Sequence, residues 1–348
     1  MRTARGPRGA CALLCLLSIT LSAPAATVRD LHSATVPVAD NSEAELARGL
    51  EAAFEVIVTR LTGDSTIARQ SAVARLRSRA RQYNTLFGYA RAADGSLLLR
   101  ADFDLPAVSG ALRERGYAVW GRERPEISTW LVVRDATGAW AAATEPTAEI
   151  FDAFTRHAER RAIPLRRRVP DASLRSLLTT VTRDDELLTA LDTLAAGDGT
   201  TPRLVMLLTQ DAMAATWHVR WQFAVDAERA NGEGQGSLPV PVLTEHLDRA
   251  LDTLARHYLA GIPAGGGVED VDIVVDDVRT PDAYGRTLAY LDSLDGVRAV
   301  EVVRLEGTSV FLRVNAYGGL PALAQTIGFG RVLGVVPEVP GHFRVVGP

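Results

Sequence analysis

The densest chemistry in the chain lies in Tyr117–Trp130, which reads Y-A-V-W-G-R-E-R-P-E-I-S-T-W. Trp120, Arg122, Arg124 and Trp130 are its candidate binding residues, because tryptophan and arginine are the side chains that most often anchor a partner. One reading places them at the mouth of a cleft between two units. The other, which is favoured, makes the stretch a joint. Trp120 and Trp130 then fill two cores, Pro125 stiffens the crossover, and Arg124 pairs with a carboxylate. Asp102 and Asp104 stand at i and i+2 on one side of a strand end, an arrangement able to hold a cation or move a proton. A polar strand exit that caps the next helix explains them better, since aspartate favours caps.

Other reactive patterns are missing. The chain has no G-x-S-x-G and no S-x-x-K. It contains no lysine, which rules out G-x-x-x-x-G-K-[ST] as a phosphate cradle. The six histidines do not fall at metal-ligand spacing. His246 and His257 share a helix face but lie three turns apart, and His32, His157, His218 and His342 read as ordinary polar residues. Gly232–Gly236, G-E-G-Q-G, reads as a flexible hairpin tip. No catalytic residue, metal or cofactor is expected, and the chain reads as a non-enzyme.

Composition sets the frame. The chain has 348 residues, 47% hydrophobic and 23% charged, enough for two or three cores. All 38 basic residues are arginine, the mark of a biased coding composition rather than of nucleic-acid binding. Arg2, Arg5 and Arg8, the apolar run Ala10–Leu21 and Ala23-Pro24-Ala25 form the three regions of a cleaved signal peptide, residues 1–25. Both cysteines, Cys11 and Cys15, fall inside it, so the mature chain is expected to have neither disulfide nor thiolate. The net charge of -4 then becomes about -7, unfavourable for nucleic acid or anionic membrane. No later stretch reaches the length of a membrane span.

The elements that must hold these residues follow a pattern. Strand Leu31–Val38 leads to a helix capped at Asn41 or Ser42, with Leu46, Leu50, Phe54, Ile57, Val58 and Leu61 in one stripe and Gly63 as its stop. A second helix is predicted over Ile67–Tyr83, carrying a row of arginines read as a solvated face. Asp94-Gly95 turns a hairpin between Thr85–Arg91 and Ser96–Phe103. A helix opens at Leu105-Pro106, and Tyr117–Trp120 is predicted as the last strand. The order β-α-α-β-β-α-β is a ferredoxin-like split βαβ with one extra helix. The C-terminal part repeats it: strand Val271–Val275, helix from Thr280-Pro281, strands Val297–Arg304 and Ser309–Val314, helix from Leu320-Pro321 and final strand Val332–Val336. D-G-S-L-L-L-R at Asp94–Arg100 is echoed by E-G-T-S-V-F-L-R at Glu306–Arg313, as in one unit used twice. Between them, hairpin Trp130–Val133 and Trp140–Ala142, helix Thr147–Arg161, strand Ile163–Leu165, two further helices, the runs Leu204–Leu208 and Trp217–Val225, and helix Val242–Tyr258 form a mixed α/β segment.

The expected fold is α+β, with ferredoxin-like split βαβ units at both ends flanking a mixed α/β middle domain. After the signal peptide come an N-terminal α+β domain (26–124), the middle domain (125–262), a Gly-rich linker (263–269) and the C-terminal ferredoxin-like domain (270–348). L-H-S-A-T-V-P-V-A-D-N-S at Leu31–Ser42, V-T-R-L-T-G at Val58–Gly63, W-G-R-E-R-P-E-I-S-T-W at Trp120–Trp130 and R-A-I-P-L at Arg161–Leu165 resemble an uncharacterised family of secreted gammaproteobacterial proteins, domain of unknown function number 2066. The resemblance runs from about Thr27 to Ala260 and implies a Gram-negative envelope location, with no site residues to carry over. The expectation is a soluble periplasmic protein that binds or scaffolds an envelope protein. The alternative is a carrier for a small ligand or lipid, with its cleft between the first two domains. Oligomeric state is left open by the sequence.

Overall fold

The computed structural model describes residues 25–27, 30–141, 148–168, 171–181, 183–197, 202–260, 262 and 267–346. The expected signal peptide, residues 1–25, lies outside these except for Ala25, as do both cysteines and residues 263–266 of the expected linker. Among the described residues, no helix is long and apolar enough to cross a membrane.

The first unit begins with β1 (Ala25–Thr27), which pairs with a later strand, and β2 (Ser33–Val38). Helix α1 (Glu43–Thr62) follows. Its cap is Ser42, whose side chain accepts from the Glu45 N–H, and its stop is Gly63 at φ 67°, where the N–H returns to the Thr59 carbonyl. The helix predicted over Ile67–Tyr83 is instead a 3-10 turn (Ile67–Arg69), α2 (Ser71–Arg77) and α3 (Ala80–Tyr83). The backbone turns extended at Gln70, with no proline or glycine to announce it. Tertiary packing explains the break, because the segment must set Ala68, Val73, Leu76 and Ala80 into one core while turning toward the next strand.

Strands β3 (Asn84–Arg91) and β4 (Leu97–Phe103) form the predicted hairpin, with Gly95 at φ 84°. Helix α4 (Leu105–Arg113) is capped by Asp104, which accepts from the Ala107 N–H. The sheet order is β2-β4-β3. Tyr117–Trp120 does not add a fourth strand, which corrects the expectation: the Trp120 N–H goes to the Leu61 carbonyl at the end of α1. The chain then makes β5 (Glu123–Pro125), antiparallel to β1.

The middle unit has β6 (Ile127–Arg134), β7 (Trp140–Ala141), α5 (Ala148–Arg160), β8 (Leu165–Arg167), α6 (Ala172–Thr180), α7 (Asp184–Gly197), β9 (Arg203–Asp211), β10 (Thr216–Val225), β11 (Glu228–Gly236) and α8 (Pro239–Leu259). Its sheet runs β11-β10-β9-β6-β7, with β8 parallel to β6. Strands β6 and β9 are parallel and buried along nearly their whole length, as a sheet covered on both faces requires. Helices α5 and α8 cover one face and α6 and α7 the other. The G-E-G-Q-G stretch is not a hairpin tip. It is the body of β11, and its glycines pass beneath large side chains: a Cβ on Gly232 would lie 2.8 Å from the Trp221 ring and one on Gly234 2.0 Å from His246 Nε2.

The last unit contains β12 (Val268–Asp276), α9 (Pro281–Ser293), β13 (Val297–Glu306), β14 (Ser309–Tyr317), α10 (Gly319–Phe329), β15 (Leu333–Val335) and β16 (His342–Val345). Its order, β13-β14-β12-β16-β15, repeats the three-strand core of the first unit. The predicted final strand, now β15, sits at the outer edge. Strand β16 returns between it and β12, parallel to β12. The fold is α+β, and the two hairpins flagged by sequence echo occupy equivalent positions in the two terminal units.

Candidate functional site

The four binding candidates part company in the structure. Trp120 is only 4% exposed and packs into the α5–α8 core of the middle unit. Trp130 is also 4% exposed, but on the opposite face of that sheet, among α6 and α7. Both tryptophans therefore belong to the middle unit, although Trp120 was assigned by sequence to the first. Arg124 is fully buried with its guanidinium 4.7 Å from the Trp120 ring. Only Arg122 reaches solvent.

Among the described residues Arg124 pairs with no carboxylate, contrary to the sequence reading. It donates to five backbone carbonyls: Gly121 at 3.1 Å, Arg161 and Ala162 at 3.3 Å, Trp120 at 3.4 Å, and Arg60. Arg60 and Arg161 lie at the C-terminal ends of α1 and α5, where helices leave carbonyls without partners. The same ends carry the negative pole of the helix dipole, which suits a cation. Arg60 does likewise, donating to Arg160 O at 2.7 Å and Ser33 O at 2.6 Å. Burial, with the neighbouring guanidinium groups, holds Arg124 down to about 9, and burial holds Arg60 to about 10.

A third arginine completes this joint. Arg161 donates to Gly63 O at 2.8 Å and pairs with Asp252 at 2.6 Å and with Asp248, both on α8. Asp252 in turn accepts from Ser65 N–H at 3.0 Å and from its hydroxyl at 2.8 Å, tying the first unit to the middle one. His157 Nε2 lies 2.9 Å from Asp248. The first two units are therefore joined by buried hydrogen bonds and ion pairs.

Asp102 and Asp104 have different partners. Asp104 caps α4, and Asp102 lies in the β2–β4–β3 sheet with Arg100 Nε at 3.6 Å. No histidine joins them. His246 is buried and accepts the Trp221 indole N–H at 3.1 Å, while burial, then the Arg249 charge, pushes its pKa down. His257 sits between Asp226 at 3.0 Å and Glu228 at 2.8 Å. Among the described residues, no group of three or more His, Cys, Asp or Glu is placed to hold a metal.

Two surfaces remain, and the first is an edge. Every residue of β3 from Thr85 to Arg91 is exposed, including Leu86 at 65%, Phe87 at 41% and Tyr89 at 38%. Phe87 and Tyr89 stand opposite Ala101 and Leu99, so they project toward the helix side of the sheet but beyond its cover. Their rings meet edge to face at 6.3 Å. The other surface is a cleft of about 120 Å³ where Arg113, Tyr117 and Gly121–Glu123 face Asp295, Tyr317 and Leu323 of the last unit. The Arg122 N–H donates to Asp295 Oδ2 at 2.9 Å. The Arg113 guanidinium lies 4.2 Å from the Tyr317 ring.

The edge carries a signal in the sequence, namely six uncharged residues from Thr85 to Ala90 in a strand without proline. The cleft had none, because Arg113 and Tyr317 lie in different units.

Residues 25–121 match a domain of unknown function, DUF8605. The match covers the first unit and stops inside the joint. Its number differs from that of the family the motifs resemble. No curated protein matches the chain. A crystal structure of Staphylococcus aureus homoserine dehydrogenase is 14% identical over 32% of this chain and 28% of that one, with a TM-score of 0.14. A likeness that slight supports no argument about fold or activity.

Proposed function

We propose that the protein is a non-enzymatic binding or scaffolding component of the bacterial envelope, which captures an extended segment of another envelope protein along β3. The observation that carries this reading is internal to the molecule. Strands β3 and β13 are the equivalent second strands of the two repeated units, and both lie at sheet edges. Strand β13 is guarded: Arg298, Glu301, Arg304 and Glu306 line it and two register shifts distort it. Charges and bulges are how natural sheets stop unwanted pairing. Strand β3 has neither between Leu86 and Ala90, where its pairing to β4 is regular.

An added strand would find free backbone groups and a place for apolar side chains over Phe87 and Tyr89. That is the physics of strand addition, in which the ladder gives affinity and alternate side chains give specificity. The envelope setting is supported by the signal-peptide pattern and by the resemblance to gammaproteobacterial secreted proteins, family number 2066. The non-enzymatic part is supported by the separate duties of Asp102, Asp104 and the histidines.

The test is site-specific photocrosslinking in intact cells, with the probe at Tyr89 or, as a control, at Val303 of β13. One dominant envelope-protein neighbour at Tyr89, lost on Phe87→Lys and not seen at Val303, supports the proposal. Equal neighbour profiles at the two positions, or lipid recovered with no protein neighbour, would overturn it.

A further inference from the structure

We infer that the cleft between the first and last units is a binding site for a small monoanionic carboxylate with an apolar body, held by Arg113. The inference starts from an unmatched cation. Arg113, on the last turn of α4, is half-buried, and among the described residues neither a hydrogen bond nor an ion pair within 4 Å ties its guanidinium. Its contact is the face of Tyr317, over which Arg298 also sits at 5.7 Å. A guanidinium held over a ring face by its cation–π contact still has N–H groups to offer, and these can receive a carboxylate on two parallel hydrogen bonds.

Burial pulls Arg113 below its ordinary value, with Tyr317 and Asp295 opposing. A desolvated cation without a close counterion gains more than an exposed one from an arriving anion.

The surroundings set the class of ligand. Arg122 is matched by Asp295, at 3.7 Å between Nε and Oδ1. Glu123 also lines the mouth and acts on Tyr290. The four charges that line the cleft balance, and Arg298, which stands outside the lining and over the Tyr317 ring, adds one positive charge to its surroundings, which suits one negative charge and opposes two. Val119, Leu294, Val297 and Leu323 supply an apolar stretch of wall, beside Ser293 and Thr326. A volume of about 120 Å³ is close to that of cavities that take a benzene ring, on the order of 150 Å³. Both units supply the walls, so a bound ligand would also fasten the last unit to the first. This site is separate from β3 and stands whether or not β3 captures a strand.

The experiment uses the full mature chain and titrates it with benzoate, benzyl alcohol and inorganic phosphate by ligand-observed NMR and calorimetry. Benzoate is expected to bind with Kd on the order of 1 mM, about -4 kcal/mol. Benzyl alcohol and phosphate are expected to bind at least about tenfold more weakly, since one lacks the charge and the other the apolar body. Arg113→Gln should weaken benzoate about tenfold or more with the melting temperature little changed. Should that variant fold poorly, Thr326→Phe, which narrows the cleft and leaves the cation in place, should block benzoate equally. Benzoate bound equally well by wild type and both variants, or no benzoate binding at about 20 mM, well above the Kd expected, would overturn the assignment.

Discussion

Arg124 shows how far the meaning of a residue depends on what surrounds it. In the sequence it is an arginine beside two tryptophans and reads as an anchor for a partner. In the fold it closes the carbonyl ends of two helices from different units. The residue type was legible, but its partners were not, because carbonyl groups leave no trace in the letters. The acid side of the same joint yields a prediction. Burial pushes the Asp248 carboxyl up, but the hydrogen bond from His157 and the charge of Arg161 more than offset it, and the net pKa is lowered. A carboxylate with a lowered folded-state pKa binds fewer protons in the native state than in the unfolded chain. Its stabilising contribution is therefore complete above the ordinary value of 3.8 and is lost as pH falls through the folded-state value. Asp248→Asn should lower stability at pH 7 and flatten the loss between pH 5 and about 2, the range over which such groups titrate. Urea midpoints measured across that range test it, and an acid limb as steep in the variant as in wild type would refute it.

At the scale of elements, strands and helices with a clean periodicity were readable from sequence, and so were the caps. The α1 stripe, the Asp94-Gly95 hairpin and the Leu105-Pro106 helix start all stand. The failures share a cause. The Ile67–Tyr83 segment, the Tyr117–Trp120 strand and the glycine-rich β11 were each decided by what packs against them. Glycine clusters ordinarily signal turns. Here Gly232 and Gly234 lie under Trp221 and His246, and no side chain fits between. Overpacking a tight site costs typically 1–3 kcal/mol, so Gly234→Ala should destabilise by about 2 kcal/mol or more. Gly110 in α4 has nothing within 4 Å of the added carbon. Gly110→Ala should therefore stabilise by about 0.5–1 kcal/mol through helix propensity. Thermal or urea unfolding of the two variants distinguishes packing from conformational freedom as the reason for each glycine, and equal effects at both sites would defeat the packing account.

At the scale of the whole molecule, the repeated unit has been used for two different purposes. The first copy is clamped to the middle unit through the buried guanidinium groups of Arg124 and Arg161, the half-buried one of Arg60, and two helix ends. The last copy is held by contacts of another kind: Arg122 with Asp295, Arg113 on Tyr317, Phe329 against Tyr258 at 4.8 Å, and α10 against β5. Ion pairs near the surface contribute little, on the order of 0–1 kcal/mol each. Relative motion is the default between units of one chain unless the interface between them is large and hydrophobic. Asp295 is the residue on which the contact turns, because its carboxylate takes both the Arg122 backbone N–H and its side chain. Asp295→Ala should leave the cores of all three units intact and free the last unit to move. Hydrogen exchange should rise in α10 and at Gly121–Glu123, cleavage between 260 and 267 by a broad-specificity protease should accelerate several-fold, and exchange in β6 and β9 should stay as in wild type. Faster exchange throughout the middle sheet would mean instead that the last unit is part of the cooperative core, and the joint at Arg124 would then no longer be what separates firm from loose in this fold.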